Sequence, residues 1–145
     1  MPHGATHMKK LSLYVFSLFV TVVSTYAMAE KKVSPMTVDG ATTVDTAKAK
    51  SLFDSGTLFV DVRSDKDWAA GRIPDAVHIE LKKVLSEATL SKELKKDEPA
   101  VIYCNGESCL RSSKASAKAV GWGFTKIYYY RDGFPAWKAA GYPTE

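Results

Sequence analysis

The sequence predicts an α/β domain, a parallel sheet covered by helices on both faces. Two observations carry the prediction. From about residue 40 onward, short apolar runs alternate with stretches bounded by helix caps and glycine stops. The apolar runs are also nearly unbroken, which is how strands buried on both faces read.

The elements follow in order. A short extended piece ends at Val44-Asp45, and Asp45 is placed to cap a helix over Thr46–Ser55 that Gly56 stops. Leu58 to Val62 reads as a buried strand carrying a single acid, Asp61. Ser64 caps a short helix through Trp68 and Ala70, closed by Gly71, and Ala76 to Ile79 is a second strand. Lys82 to Lys96 puts Leu85, Leu90 and Leu94 on one apolar face and reads as short helices. Ala100 to Tyr103 is a third strand, entered through Pro99. Cys104 to Leu110 is a loop, followed by an Ala-rich helix from Arg111 to Val120 that ends at Gly121. Lys126 to Tyr129 is a fourth strand, and Phe134 to Ala140 a last short helix stopped by Gly141 and Pro143.

The 145 residues suffice for one domain with extensions. Hydrophobic residues make up 46% and charged residues 25%, which excludes a wholly disordered, collagen-like or multi-span membrane chain. Two cysteines are too few for a disulfide scaffold or a zinc ribbon. Of three histidines, His3 and His7 lie in the ragged start, so no metal site is expected.

Residues 1–29 read as a leader rather than part of the fold. Residues 1–7 precede a better start at Met8, and Met8-Lys9-Lys10 opens an apolar run from Leu11 to Val23. That run is shorter than the ~20 residues a membrane-spanning helix needs. Ala27-Met28-Ala29 then supplies a small-x-small cleavage site, completing the layout of a secretory signal peptide. A periplasmic location and no stable membrane insertion after cleavage are expected. Removing Lys9 and Lys10 lowers the net charge from +4 to +2, too weak a surplus to argue for nucleic acid. Residues 30–39 are polar, contain Pro35 and read as a linker, leaving 40–145 as the domain. Export would place the two cysteines where a disulfide can persist.

The segment with chemistry runs from Val101 to Ser113 (VIYCNGESCLRSS). A buried strand ends at Cys104, a loop of Asn105, Gly106, Glu107, Ser108, Cys109 and Leu110 follows, and a helix opens at Arg111. Ligands of open α/β sheets bind beyond the carboxyl ends of strands. Loop amides and a helix N-terminus attract an anion; where that anion is the Cys104 sulfur, its thiolate is populated. Arg111 adds a positive charge. The competing reading of Cys104 is a strand-end residue packed as a small hydrophobe. For Cys109 three roles stay open: cycling with Cys104 as a disulfide, resolving a modified Cys104, or shaping the loop.

Three stretches resemble the rhodanese-like sulfurtransferase domain. The first is Asp61-Val62-Arg63 followed by Asp67-Trp68-Ala69-Ala70-Gly71-Arg72-Ile73-Pro74-Asp75-Ala76-Val77-His78-Ile79, similar to that family's N-terminal signature. The second is the strand, cysteine, loop, Arg111-Ser112 and helix. The third is Asp132-Gly133-Phe134-Pro135-Ala136-Trp137-Lys138-Ala139-Ala140-Gly141-Tyr142-Pro143, similar to its C-terminal motif. The resemblance implies a central parallel sheet of about five strands and a cysteine, Cys104 by position, that carries a sulfane sulfur as a persulfide. It implies Arg111 as the arginine closing the loop and Asp61 and Arg63 as polar braces. A small sulfur-containing anion or protein thiol is expected as partner, with a monomer and no cofactor.

The departures are Arg72 in place of a usual His, Asp75 in place of Gly, and a loop of six residues instead of the commoner four. Glu107 also puts an acid where anions should be favoured. The function expected is transfer of sulfur from a donor such as thiosulfate to an acceptor such as cyanide or a thiol. The alternatives are a non-catalytic or redox dithiol/disulfide module that binds a partner and, further off, a Cys-dependent phosphatase. Against the phosphatase stand the six-residue loop and Tyr103 before the cysteine. His78 and Tyr128 to Tyr130 are expected to be structural.

Overall fold

The computed structural model of the protein describes Gly4 and residues 32–145, so the leader reading falls outside the described residues apart from Gly4. Strands and helices alternate as β1 (Thr42–Thr43), α1 (Thr46–Asp54), β2 (Leu58–Asp61), α2 (Asp65–Ala70), β3 (Val77–His78), α3 (Glu87–Glu93), β4 (Pro99–Tyr103), α4 (Arg111–Gly121), β5 (Lys126–Tyr130) and α5 (Gly133–Ala139). The strands form one sheet in the order β1-β5-β4-β2-β3, and every neighbouring pair is parallel. Val60 pairs with Ile102, and Tyr103 with Tyr130.

Strand side chains alternate between faces, and that parity sorts the core. Val60, Val62, Ala100, Ile102 and Cys104 point to one face, where they meet Leu90 and Leu94 of the α3 region and Ala115 and Ala119 of α4. Phe59, Val101 and Tyr103 point to the other, against Ala49 and Leu52 of α1 and Trp137 of α5. Trp137 is fully buried, packs edge-on against Phe53, Phe59 and Tyr142, and donates its indole N–H to Pro143 O at 2.7 Å. Helices therefore cover both faces.

Caps fix the helix starts. The Asp45 carboxylate accepts from Lys48 N at 2.7 Å, and the Ser64 hydroxyl accepts from Asp67 N at 3.3 Å. The Lys82–Lys96 stretch is less helical than its leucines suggest. Ser86 and Thr89 form a reciprocal capping box that starts α3 at Glu87. The amides of Lys82 and Lys83 before it turn to the Glu80 carboxylate instead. Asp75 takes a left-handed conformation (φ 62°), which Asp tolerates better than most residues and which accounts for its standing where the family motif has Gly. Arg72 forms a two-bond backbone ladder with Glu145 and stacks its guanidinium on Trp68.

Candidate active site

Cys104 follows the last residue of β4, in the middle of the sheet, and its parity turns it toward α4. It is 1% exposed and joined by a disulfide to Cys109, with the two Cα atoms 6.4 Å apart. The return of the chain is a turn: Cys109 N donates to Gly106 O at 3.0 Å, and Gly106 has φ 100°, a conformation glycine adopts without steric cost. Glu107 and Ser108 stand exposed at its tip. Leu110 leads into α4 without a side-chain cap, and no acid of the helix itself occupies the first turn, so the N-terminus of this helix adjoins the cysteine loop uncapped. In this disulfide form, no loop amide donates to either sulfur among the described residues.

The loop is gripped from the start of α5. Phe134 N donates to Cys104 O at 2.9 Å, which requires Gly133 to lie flat against the loop backbone. Gly133 has φ 65°, and a Cβ there would run into Cys104 O and stand 2.7 Å from Gly106 N. Gly133→Ala combines a left-handed backbone with a backbone clash, so it should cost about 2–3 kcal/mol. Thermal unfolding should show this as a Tm lower by roughly 10 °C.

On the opposite face, Asp61 at the end of β2 and Arg63 just beyond it are 0% and 3% exposed. The Arg63 guanidinium holds the Asp61 carboxylate through Nε at 3.0 Å and Nη2 at 2.7 Å. Its remaining donors reach Gly71 O at 2.6 Å and Asn105 Oδ1 at 3.1 Å. Asn105 passes the bracing on: its Nδ2 donates to Asp67 Oδ2 at 2.8 Å, and this bond holds the Asp67 carboxyl below its ordinary pKa. The side chain that follows Cys104 is thereby pinned between β2 and α2. His78 is structural, stacked on Trp68 with its Nε2 2.9 Å from Arg63 O.

Arg111, expected to add a fixed positive charge at the start of the helix, is paired with an acid. Its Nη1 is bonded to the Glu80 carboxylate and to Val62 O, so it ties the start of α4 to the ends of β2 and β3. Glu80 carries no distinguishing signal in the sequence. It is 4% exposed and also accepts from the amides of Lys82 and Lys83. The Arg111 hydrogen bond, helped by those amides and opposed by burial, lowers its pKa from 4.5 to about 2. The native state thus binds fewer protons than the unfolded chain, and the stabilisation is complete above the ordinary carboxylate range. It is lost as pH falls from about 4.5 toward 2. Urea midpoints measured across that window should drop in the wild type and drop less in Glu80→Gln.

Within the linker expected over residues 30–39, Ser34 and Pro35 are tied to the domain. Ser34 is 3% exposed, and its amide donates to Glu107 O at 2.6 Å. Arg131, after β5, donates through Nε and Nη2 to Ser34 O and through Nη1 to the Glu107 carboxylate at 3.4 Å. Tyr129 Oη donates to Pro35 O at 2.9 Å. The segment is a strap across the tip of the cysteine loop, and Arg131 offsets the acid at Glu107. Arg131 and Ser34 carried no signal in the sequence, because their partners lie far away along the chain. Tyr130 is structural too: burial raises its phenol pKa to about 12 despite a 2.8 Å hydrogen bond with Thr46.

A cysteine at the carboxyl end of a central parallel strand, with a short loop leading straight into a helix N-terminus, occupies the place where open α/β sheets build their ligand sites. The rhodanese-like domain model matches residues 45–140, and the chain belongs to that family. It is 34% identical over 99 residues to the thiosulfate sulfurtransferase GlpE of Pseudomonas syringae pv. syringae, a match spanning 68% of this chain and 87% of that one. Among solved structures it resembles the BH2092 protein of Bacillus halodurans, with TM-score 0.65 and 28% identity over 72% of this chain and 77% of that one. It also resembles the human single-domain sulfurtransferase TSTD1, with TM-score 0.58 and 26% identity over 68% of this chain and 96% of that one. The protein is an enzyme of the rhodanese-type sulfurtransferase class.

Proposed function

We propose that the protein moves a sulfane sulfur from thiosulfate, or a donor like it, to a thiophilic acceptor such as cyanide or a thiol, through a persulfide on Cys104. The observation that carries this is the placement of Cys104 at the end of β4 and beside the uncapped N-terminus of α4. The Cys104 thiolate attacks the outer sulfur of thiosulfate and sulfite leaves. Loop amides and the helix dipole stabilise the anion on either sulfur, a kind of contribution worth about 2.7–4 kcal/mol per well-aimed donor. The acceptor then attacks the outer sulfur and returns the thiolate. Asn105, Gly106, Glu107, Ser108, Cys109 and Leu110 shape the pocket. Asp61 and Arg63 fix its floor through Asn105, and Arg111 closes it through Glu80.

The disulfide occupies the nucleophile, so reduction must precede the first turnover. Reduced protein given thiosulfate and cyanide should form thiocyanate with two-step, ping-pong kinetics, and the oxidised protein should be inactive. Thiocyanate formation that does not depend on reduction would overturn the assignment. The disulfide itself favours a second reading, a redox dithiol module, which predicts no thiocyanate in either state. Export to the periplasm is part of the proposal, supported by the basic, apolar and Ala-Met-Ala order of residues 8–29.

A further inference from the structure

We propose that the protein carries a second activity, the reductive release of sulfide, with Cys109 as an internal resolving cysteine. The inference rests on the persulfide reading above and adds a fate for its sulfur that requires no external acceptor. Three observations carry it. The Cys104–Cys109 disulfide shows that the two sulfurs meet within the native loop. A backbone hydrogen bond from Cys109 N to Gly106 O closes the same turn, so the backbone as well as the S–S bond brings Cys109 back toward Cys104. The loop is held at its base by Phe134 N and the Asn105 clamp and at its tip by Ser34 N, which favours a closed path in the reduced protein as well. A thiol fixed so close competes with solution acceptors at a large effective concentration.

The step balances without an added oxidant. Cys104 first takes the outer sulfur of thiosulfate, and sulfite leaves with the electron pair of the broken S–S bond. The Cys109 sulfur then attacks Cys104 Sγ. The Cys104–Cys109 bond forms, the bond to the outer sulfur breaks, and that sulfur leaves as hydrosulfide with the Cys109 proton. The sulfane sulfur gains two electrons and the two cysteine thiols lose them. The product is the disulfide seen in the structure. An external dithiol, through thiol–disulfide exchange, resets the pair.

Protein reduced, freed of reductant and mixed with thiosulfate in the absence of cyanide tests this. The wild type should release about one equivalent each of sulfite and sulfide, as single-turnover covalent chemistry requires. Its intact mass should end two hydrogens below the reduced protein, and added dithiol should renew both products. Cys109→Ser should release sulfite but no sulfide, and gain the mass of one sulfur atom. Wild-type protein that releases sulfite yet keeps the extra sulfur overturns the inference and leaves the sulfurtransferase proposal standing. Equal sulfide from wild type and Cys109→Ser also overturns it. Absence of sulfite from both proteins overturns it together with the persulfide reading.

Discussion

Cys104→Ser should reduce cyanide-dependent thiocyanate formation to the uncatalysed background, whereas Cys109→Ser keeps a measurable fraction. A serine hydroxyl in the same place is a far weaker nucleophile and cannot hold a sulfane sulfur, so no second step is possible. The comparison separates chemistry from folding, because both substitutions remove the same disulfide. Loop-closure entropy for so short a ring gives that bond about 2 kcal/mol relative to the reduced protein. Both variants should therefore unfold near the urea midpoint of reduced wild type and below that of the oxidised protein. Full activity in Cys104→Ser would remove Cys104 from the reaction.

Arg63→Ala should be among the most destabilising single changes in the domain. Asp61 and Arg63 are both buried, and the pair is hydrogen-bonded through three guanidinium contacts and the Arg63 amide. Removing the guanidinium leaves a buried carboxylate without its countercharge, a situation that costs about 3–5 kcal/mol. It also leaves Gly71 O and Asn105 Oδ1 without their donor. The urea midpoint should fall with little change in slope, and the activity remaining in the folded fraction should fall too, because Asn105 loses half of its clamp. Arg63→Lys should recover only part of the stability, since a single ammonium cannot reproduce the planar fork. A loss within ~0.5 kcal/mol, the range of an ordinary surface substitution, would contradict this account of the pair.

What the sequence disclosed follows from what is local. Strand runs such as Leu58 to Val62, caps such as Asp45 and Ser64, and the step from strand to cysteine to helix at residues 101–111 are each written within a few residues. The face on which Cys104 lies follows from period-two alternation along β4. The site's long-range braces were not legible. Glu80 reads as one more acid after a strand, and only folding brings Arg111 to it. Arg131 and Ser34 meet across 97 positions, and no periodicity marks such a pair. Of the short helices expected over residues 82–96, one forms, at Glu87–Glu93, and its start is set by the Ser86–Thr89 capping box, while the amides of Lys82 and Lys83 close a turn on the Glu80 carboxylate. Gly133 lay inside the C-terminal motif, but its reason for being glycine, direct contact with the loop backbone at Cys104 and Gly106, appears only in three dimensions.

The central claim is that this loop makes the Cys104 sulfur a reactive anion. The rate of alkylation of Cys104 by a small haloacetamide, measured against pH in reduced Cys109→Ser so that one thiol reports, tests it most directly. Modification should be rapid, with a midpoint well below the ~8.5 of an unperturbed cysteine. A midpoint at or above that value, or a thiol that resists the reagent in the folded reduced protein, would contradict it.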